Sequence, residues 1–213
     1  MSVQPDSIEF ARHDVTAVLV THDGERWVGQ VLDAIAGQER PIQRFVGVDT
    51  GSRDRTLEIL YDTVGEGRVI TRPRDTGFGH AAGFAVNAVF GGQRAVEVHD
   101  EPDELVEWIW LLHDDCEPDP EALRFLLALA DEDPTIGVVG PKIRGWYNRW
   151  DLLEVGTTIA PNGRRETGLD RGETDQGQHD GQREVLAVSS AGMLVRRDVW
   201  ETLGGFDRAL PMM

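Results

Sequence analysis

The sequence predicts an α/β domain built on a mostly parallel sheet flanked by helices, with a smaller mixed lobe after it. Three observations carry that expectation. Over about the first 130 residues, apolar β-branched runs alternate with stretches of helical spacing, as repeated βαβ units require. Several of those runs stop abruptly in carboxylates, the pattern of parallel strands whose C-terminal mouths line a crevice. Beyond Pro134 the alternation gives way to short strand-like segments without full crossover helices between them.

Each element follows from local chemistry. After a polar leader, residues 1–13, the run 15–21 is β-branched and apolar, a strand buried on both faces. His22-Asp23-Gly24 breaks it, and residues 25–36 carry helical spacing through Trp27, Val31, Leu32 and Ile35 until Gly37. A second strand, 42–48, runs into Asp49-Thr50-Gly51-Ser52-Arg53-Asp54, where Asp54 can cap a helix over 55–64. A short third strand, 68–71, leads through Arg72, Arg74 and Asp75 to a helix over 80–90 rich in small residues, which let a helix press close to a sheet or a ligand. Residues 91–107 read as an acidic surface excursion. The apolar strand from Trp108 then ends in His113-Asp114-Asp115, and a helix follows over 121–130.

In the second part, residues 136–139, 152–159, 185–189 and 193–195 read as strands, and 198–203 as a short capped helix closed by Gly204-Gly205. Residues 163–183 are rich in Gly, Asp and Gln, nearly free of apolar side chains, and read as a mobile loop. The chain thus divides into the leader, a lobe over 14–133 and a lobe over 134–213, with no internal repeat.

Composition narrows the function. A formal charge of -17 argues against a nucleic-acid surface, which needs clustered Lys and Arg to replace counterions. A small polyphosphate would need a cation to approach so acidic a protein. The single cysteine, Cys116, excludes an internal disulfide and reads as a small buried residue in a reducing compartment. With no apolar run of membrane-spanning length and no signal-peptide pattern at its start, the chain is expected to be cytoplasmic.

In a doubly wound sheet the mouths of all parallel strands open on one edge. Thr21-His22-Asp23, Asp49, Asp75 and His113-Asp114-Asp115 are therefore expected to converge on one cleft, although they span almost a hundred positions. Adjacent carboxylates there can hold a divalent cation. The stretch from Gly77 to Gly83 fits a tight turn with close helix packing better than a dinucleotide fingerprint, which would follow the first strand. Trp146, Tyr147 and Trp150 are candidates for packing or for stacking on a ligand ring.

Taken together, Val15 to Glu25, Val48-Asp49-Thr50-Gly51-Ser52-Arg53-Asp54, Asp75-Thr76-Gly77-Phe78-Gly79, His113-Asp114-Asp115 with Pro118, Ala191-Gly192-Met193-Leu194-Val195 and Gly204-Gly205-Phe206-Asp207 resemble family 2 glycosyltransferases with a GT-A fold. The resemblance implies a nucleoside-diphosphate sugar donor, a glycan or glycolipid acceptor such as an envelope polysaccharide, and a divalent metal, Mn or Mg. It implies that Thr21, Asp23, Glu25, Asp49, Asp75, Gly77 and Asp114 line the donor pocket, that Asp115 with His113 holds the metal, and that Gly192 and Met193 lie on the acceptor side. His113 stands where relatives carry an acid, and histidine is itself a competent ligand for manganese. Arg72 and Arg74 are further candidates to meet a diphosphate. Relatives carry the general base of an inverting transfer a few residues after Gly-Gly-Phe-Asp, so the base is expected beyond Met213, together with any membrane attachment. The alternative is a sugar-nucleotide-binding module without catalysis.

Overall fold

The computed structural model describes residues 12–91 and 105–207. At its centre is a six-stranded sheet in the order β3-β2-β1-β4-β10-β5. Its strands are β1 (His13–Thr21), β2 (Arg44–Asp49), β3 (Val69–Thr71), β4 (Val106–His113), β5 (Val138–Val139) and β10 (Leu194–Arg196). The first four run parallel, and β10 lies antiparallel between β4 and β5. Four helices, α1 (Val28–Ala36), α2 (Thr56–Val64), α3 (Phe78–Phe90) and α4 (Ala122–Glu132), follow the four parallel strands, and α5 (Arg197–Leu203) follows β10.

The side-chain period of two sorts the central strands into two cores. Val15, Ala17 and Leu19 of β1, with Trp108, Trp110 and Leu112 of β4, face α1, α2 and α4. Their alternates Val18, Val20, Ile109 and Leu111 face α3 and α5. Trp108 and Trp110 are fully buried, and each finds a partner for its indole N–H: His13 Nδ1 at 2.9 Å and the Gly192 carbonyl at 3.2 Å. The α3 face toward the sheet is Ala81, Ala82 and Ala85, so the small residues do bring this helix close.

Register sets where the site forms. Val20 pairs with His113, Thr21 with Asp49, and Asp49 with Thr71, so four strands end level on one edge. That is the convergence expected from the acidic strand ends.

Several boundaries differ from expectation. Val106 and Glu107 belong to β4 rather than to a surface excursion, and residues 92–104 lie outside the described residues. Asp54 accepts from the Thr56 N–H at 3.0 Å, although α2 begins after Arg55. Residues 185–189 form no strand and contribute only a bridge between Thr157 and Ala187. Short strands β6 (Ile143–Arg144) and β7 (Leu152–Glu154) pair with each other, as do β8 (Thr158–Ile159) and β9 (Arg165–Glu166).

The 163–183 segment, expected as a free loop, is tied down by polar contacts. Lys142 Nζ reaches Asp175 Oδ2 at 2.8 Å and also Asp180, His179 meets Glu173 at 2.8 Å, and Arg183 donates to the Val155 carbonyl. Asp175 is only 8% exposed. Burial of apolar side chains leaves a readable period, whereas such clasps leave none. None of the helices among the described residues is long and apolar enough to cross a membrane.

Candidate active site

The site is built on the loops that leave β1, β2, β3 and β4. Asp49 closes β2 with its carboxylate turned inward, at 1% exposure. Its Oδ2 accepts from the N–H groups of Gly51 and Ser52, both at 3.0 Å, and its Oδ1 accepts from the hydroxyls of Ser52 and Thr21. Four donors from two strand ends therefore converge on one side chain. Thr50 in turn donates its hydroxyl to the Thr21 carbonyl at 2.9 Å, and the His22 ring sits 2.7 Å from the same hydroxyl.

Asp23 is the one non-glycine among the described residues with positive φ, at 53°. Aspartate tolerates that region through local hydrogen bonds. Here its N–H donates to Ser52 Oγ at 2.9 Å, its Oδ1 accepts from the Arg53 N–H at 2.7 Å, and both carboxylate oxygens accept from the Arg74 guanidinium. The Arg74 guanidinium, with the Arg53 N–H, holds the Asp23 carboxyl well below the usual carboxylate range. Arg74 also donates to the Gly51 carbonyl at 3.1 Å, and a Cβ at Gly51, whose φ is 72°, would come within 3.0 Å of the Arg74 backbone nitrogen. Glu25 completes the lattice: its N–H meets Asp54 at 3.0 Å, and its carboxylate accepts from the Arg55 N–H at 2.8 Å.

Beside this lattice stands the acidic end of β4. Asp114 turns toward the β1–α1 turn, where its Oδ2 accepts from the His22 N–H at 2.6 Å. Burial pushes its pKa up to about 6. Gly24 fits against it only because it lacks a side chain, since a Cβ there would lie 2.3 Å from Asp114 Oδ2. His113 turns the other way, with its Nε2 2.9 Å from Ser190 Oγ and its ring stacked at 4.3 Å on Phe78. Burial lowers its pKa, against the pull of the nearby Asp115 charge. Cys116, with its thiol pushed up to about 12 by burial, is inert.

Only Asp115 of this trio presents an exposed carboxylate that takes no hydrogen bond or ion pair from a described residue. His113 engages Ser190 through Nε2, which leaves Nδ1 as the ring nitrogen available to a cation. Among the described residues no three His, Cys, Asp or Glu side chains cluster as a metal cage. One free carboxylate at the mouth of a parallel strand fits a hard cation that brings phosphate oxygens with it, the usual mode for magnesium, and does not fit a closed structural site.

The remaining expected residues divide. Asp75 is exposed at the β3 mouth, and Gly77 is the residue before α3. Gly192, with φ of 97° and Pro141 packed against it, and Met193 extend the ladder beside β4, trading bonds with Leu111 two residues before His113. Arg74 is paired with Asp23, whereas Arg72 lies over the Phe84 ring at 3.7 Å with its buried Nε lacking a hydrogen-bond partner among the described residues. The sequence reading missed Ser52, Ser190 and the aromatic train His113–Phe78–Phe206–Trp200. Ser52 had a signal in the Asp-Thr-Gly-Ser run. Ser190 is 77 positions from His113 and had none.

Residues 12–213 match the model of the glycosyltransferase-like family 2. The chain belongs to this family. Among solved structures it is similar to the mannosyltransferase PcManGT from Pyrobaculum calidifontis, in complex with GDP-Man and Mn2+, at 19% identity and a TM-score of 0.54 over 91% of this chain and 47% of that one. Matches with lower TM-scores include TarS of S. aureus, residues 1–349, at 20% identity and 0.48 over 68% and 41% of the two chains. Another is glucosyl-3-phosphoglycerate synthase from Mycobacterium tuberculosis with UDP, at 19% identity and 0.47 over 64% and 46%. The family 2 chain spans about half the length of these solved structures. No curated protein sequence matches it. At such identities the likeness shows the GT-A type fold.

Proposed function

We propose that the chain is the donor-binding part of a metal-dependent, inverting glycosyltransferase that moves a sugar from a nucleoside-diphosphate donor to a glycan or glycolipid acceptor. Membership in the family supports the reaction class. The observation that carries the reading is the level ending of four parallel strands, which puts the Asp23–Asp49 lattice on the same edge as the open carboxylate of Asp115. PcManGT, with its GDP-Man and Mn2+, has the same type of fold.

Cleaving the bond from the anomeric carbon to the diphosphate leaves negative charge on the departing oxygen, and a bound Mn2+ or Mg2+ would neutralise it there. In this reading Asp115 holds the cation. Asp49 and Asp23 keep the β1, β2 and β3 loops in fixed register for the nucleotide, so little order remains to be imposed on binding. Asp75 and Gly77 face the donor sugar, Gly192 and Met193 belong to the acceptor side, and residues 14–133 and 134–213 divide the two substrates between them. An inverting transfer also needs a general base beside the acceptor hydroxyl.

A thermal-shift panel of UDP, GDP and dTDP, each with Mn2+ or EDTA, tests the reading. One nucleoside diphosphate is expected to protect only with metal, by about 5–10 °C at a hundredfold excess over Kd, and Asp115→Asn should remove that protection. A flat response from every nucleotide would sink the proposal.

A further inference from the structure

Resting on that reading, we propose that the 145–151 loop is an acceptor subsite in which Tyr147 and Trp150 stack against the rings of a neutral saccharide. The loop is ordered by its own polar bonds. The Gly145 N–H donates to the Asp151 carbonyl at 2.8 Å, the Asp151 N–H to the Asn148 carbonyl at 3.0 Å, and Asn148 Nδ2 to Asp151 Oδ1 at 2.7 Å. Gly145 is needed for this closure, because a Cβ there would meet the Asn148 carbonyl at 2.8 Å. Within the same loop Trp146 packs onto the core, yet Tyr147 and Trp150 stay 77% and 68% exposed. A fixed loop holding two large rings in water gains no core packing from them.

The loop is joined to two walls of the candidate active site. Arg26, just past the Asp23–Glu25 turn, lies over both the Trp27 and Tyr147 rings, at 5.6 and 5.5 Å. On the other wall, Arg149 pairs with Glu117 at 3.0 Å and Arg144 with Asp119 at 3.8 Å, both shortly after Asp115. The loop, with Tyr147 on it, is therefore tied to the edge where the donor would react. Flat aromatic faces suit the C–H faces of a pyranose, while the polar ends of the Tyr, the Trp and Arg26 suit its hydroxyls. A chain of charge -17, with Arg149 of the loop already paired to Glu117, disfavours an anionic glycan, which leaves a neutral one.

The test titrates wild type, Tyr147→Ala, Trp150→Ala and Trp150→Phe with cellotetraose, mannotetraose, N-acetylchitotetraose and the anionic tetragalacturonate. Tryptophan fluorescence and saturation-transfer NMR report binding, with nucleoside-diphosphate protection measured in parallel. At least one neutral tetrasaccharide should bind and tetragalacturonate should not. Each alanine variant should weaken binding about tenfold, Trp150→Phe should recover part of it, and nucleotide protection should be unchanged throughout. The inference is overturned if no neutral tetrasaccharide binds, if the alanine variants bind like wild type, or if the anionic glycan binds equally well. It is also overturned if the rings prove to hold a second copy, read as a dimer that Trp150→Ala dissociates. Saccharide binding without any nucleotide protection would support the aromatic subsite while removing the donor reading.

Discussion

Replacing Gly24 with alanine probes the contact that couples the two halves of the candidate active site. Gly24 has no positive φ, so alanine meets no backbone penalty there. The strain is steric: the new Cβ would lie 2.3 Å from Asp114 Oδ2, 2.7 Å from its Cγ and 2.8 Å from its Cβ. Rotating Asp114 relieves the first two contacts but not the third, and it breaks the 2.6 Å bond from the His22 N–H. Forcing a methyl into such a place costs roughly 1–3 kcal/mol, or about 2–12 °C of Tm for a chain of this size. In an Asp114→Gly background all three contacting atoms are gone, so adding Gly24→Ala should cost less than half as much. Thermal melts of the four proteins give the coupling directly. Equal costs of Gly24→Ala in both backgrounds would refute the idea that Asp114 buttresses this turn.

Three further outcomes follow from the same geometry. Asp49→Ala leaves the half-buried N–H groups of Gly51 and Ser52 without their acceptor, at roughly 1 kcal/mol each, so its Tm should fall by several degrees without any nucleotide; an unchanged Tm with lost nucleotide binding would make Asp49 a ligand contact instead. His13 is buried with its Nε2 3.0 Å from Asp131 and its Nδ1 accepting from Trp108, and burial lowers its pKa. The unfolded chain therefore binds the proton first, and this contribution to stability, full above about pH 6.5, is lost as pH falls toward the folded-state pKa. Asp114, with its raised pKa, contributes the opposite slope between about pH 4 and 6. Urea unfolding from pH 5 to 7.5 should consequently show His13→Asn losing less stability on acidification than wild type, and parallel slopes would contradict the burial argument. Finally, Lys142→Met should speed tryptic cleavage after Arg171 several-fold, and unchanged cleavage would mean that the Asp175 and Asp180 clasp does not hold the segment.

The parallel half of the fold was legible because β1 and β4 are apolar enough to be buried on both faces, and the helices between strands carry their own period. The convergence of Thr21, Asp49 and His113 was legible too, since parallel topology alone forces strand ends onto one edge. What each side chain does there was not. Asp49 looks the same in sequence whether its carboxylate meets a ligand or the N–H groups of Gly51 and Ser52. The Asp23–Arg74 pair spans 51 positions and the His113–Ser190 pair 77, and no local pattern encodes either. The short strands β6 to β9 and the pinning of residues 163–183 rest on backbone bridges and ion pairs, which leave no hydrophobic periodicity to read.

The borders of the sheet bear on whether its edges can pair with a neighbouring molecule. Its inner strands are apolar enough to be dangerous if copied by a neighbouring molecule, but the borders are β3, three residues long, and β5, only two. So brief a row of open N–H and carbonyl groups gives an incoming chain almost nothing to template on. Extending either border strand by several β-branched residues should therefore promote aggregation.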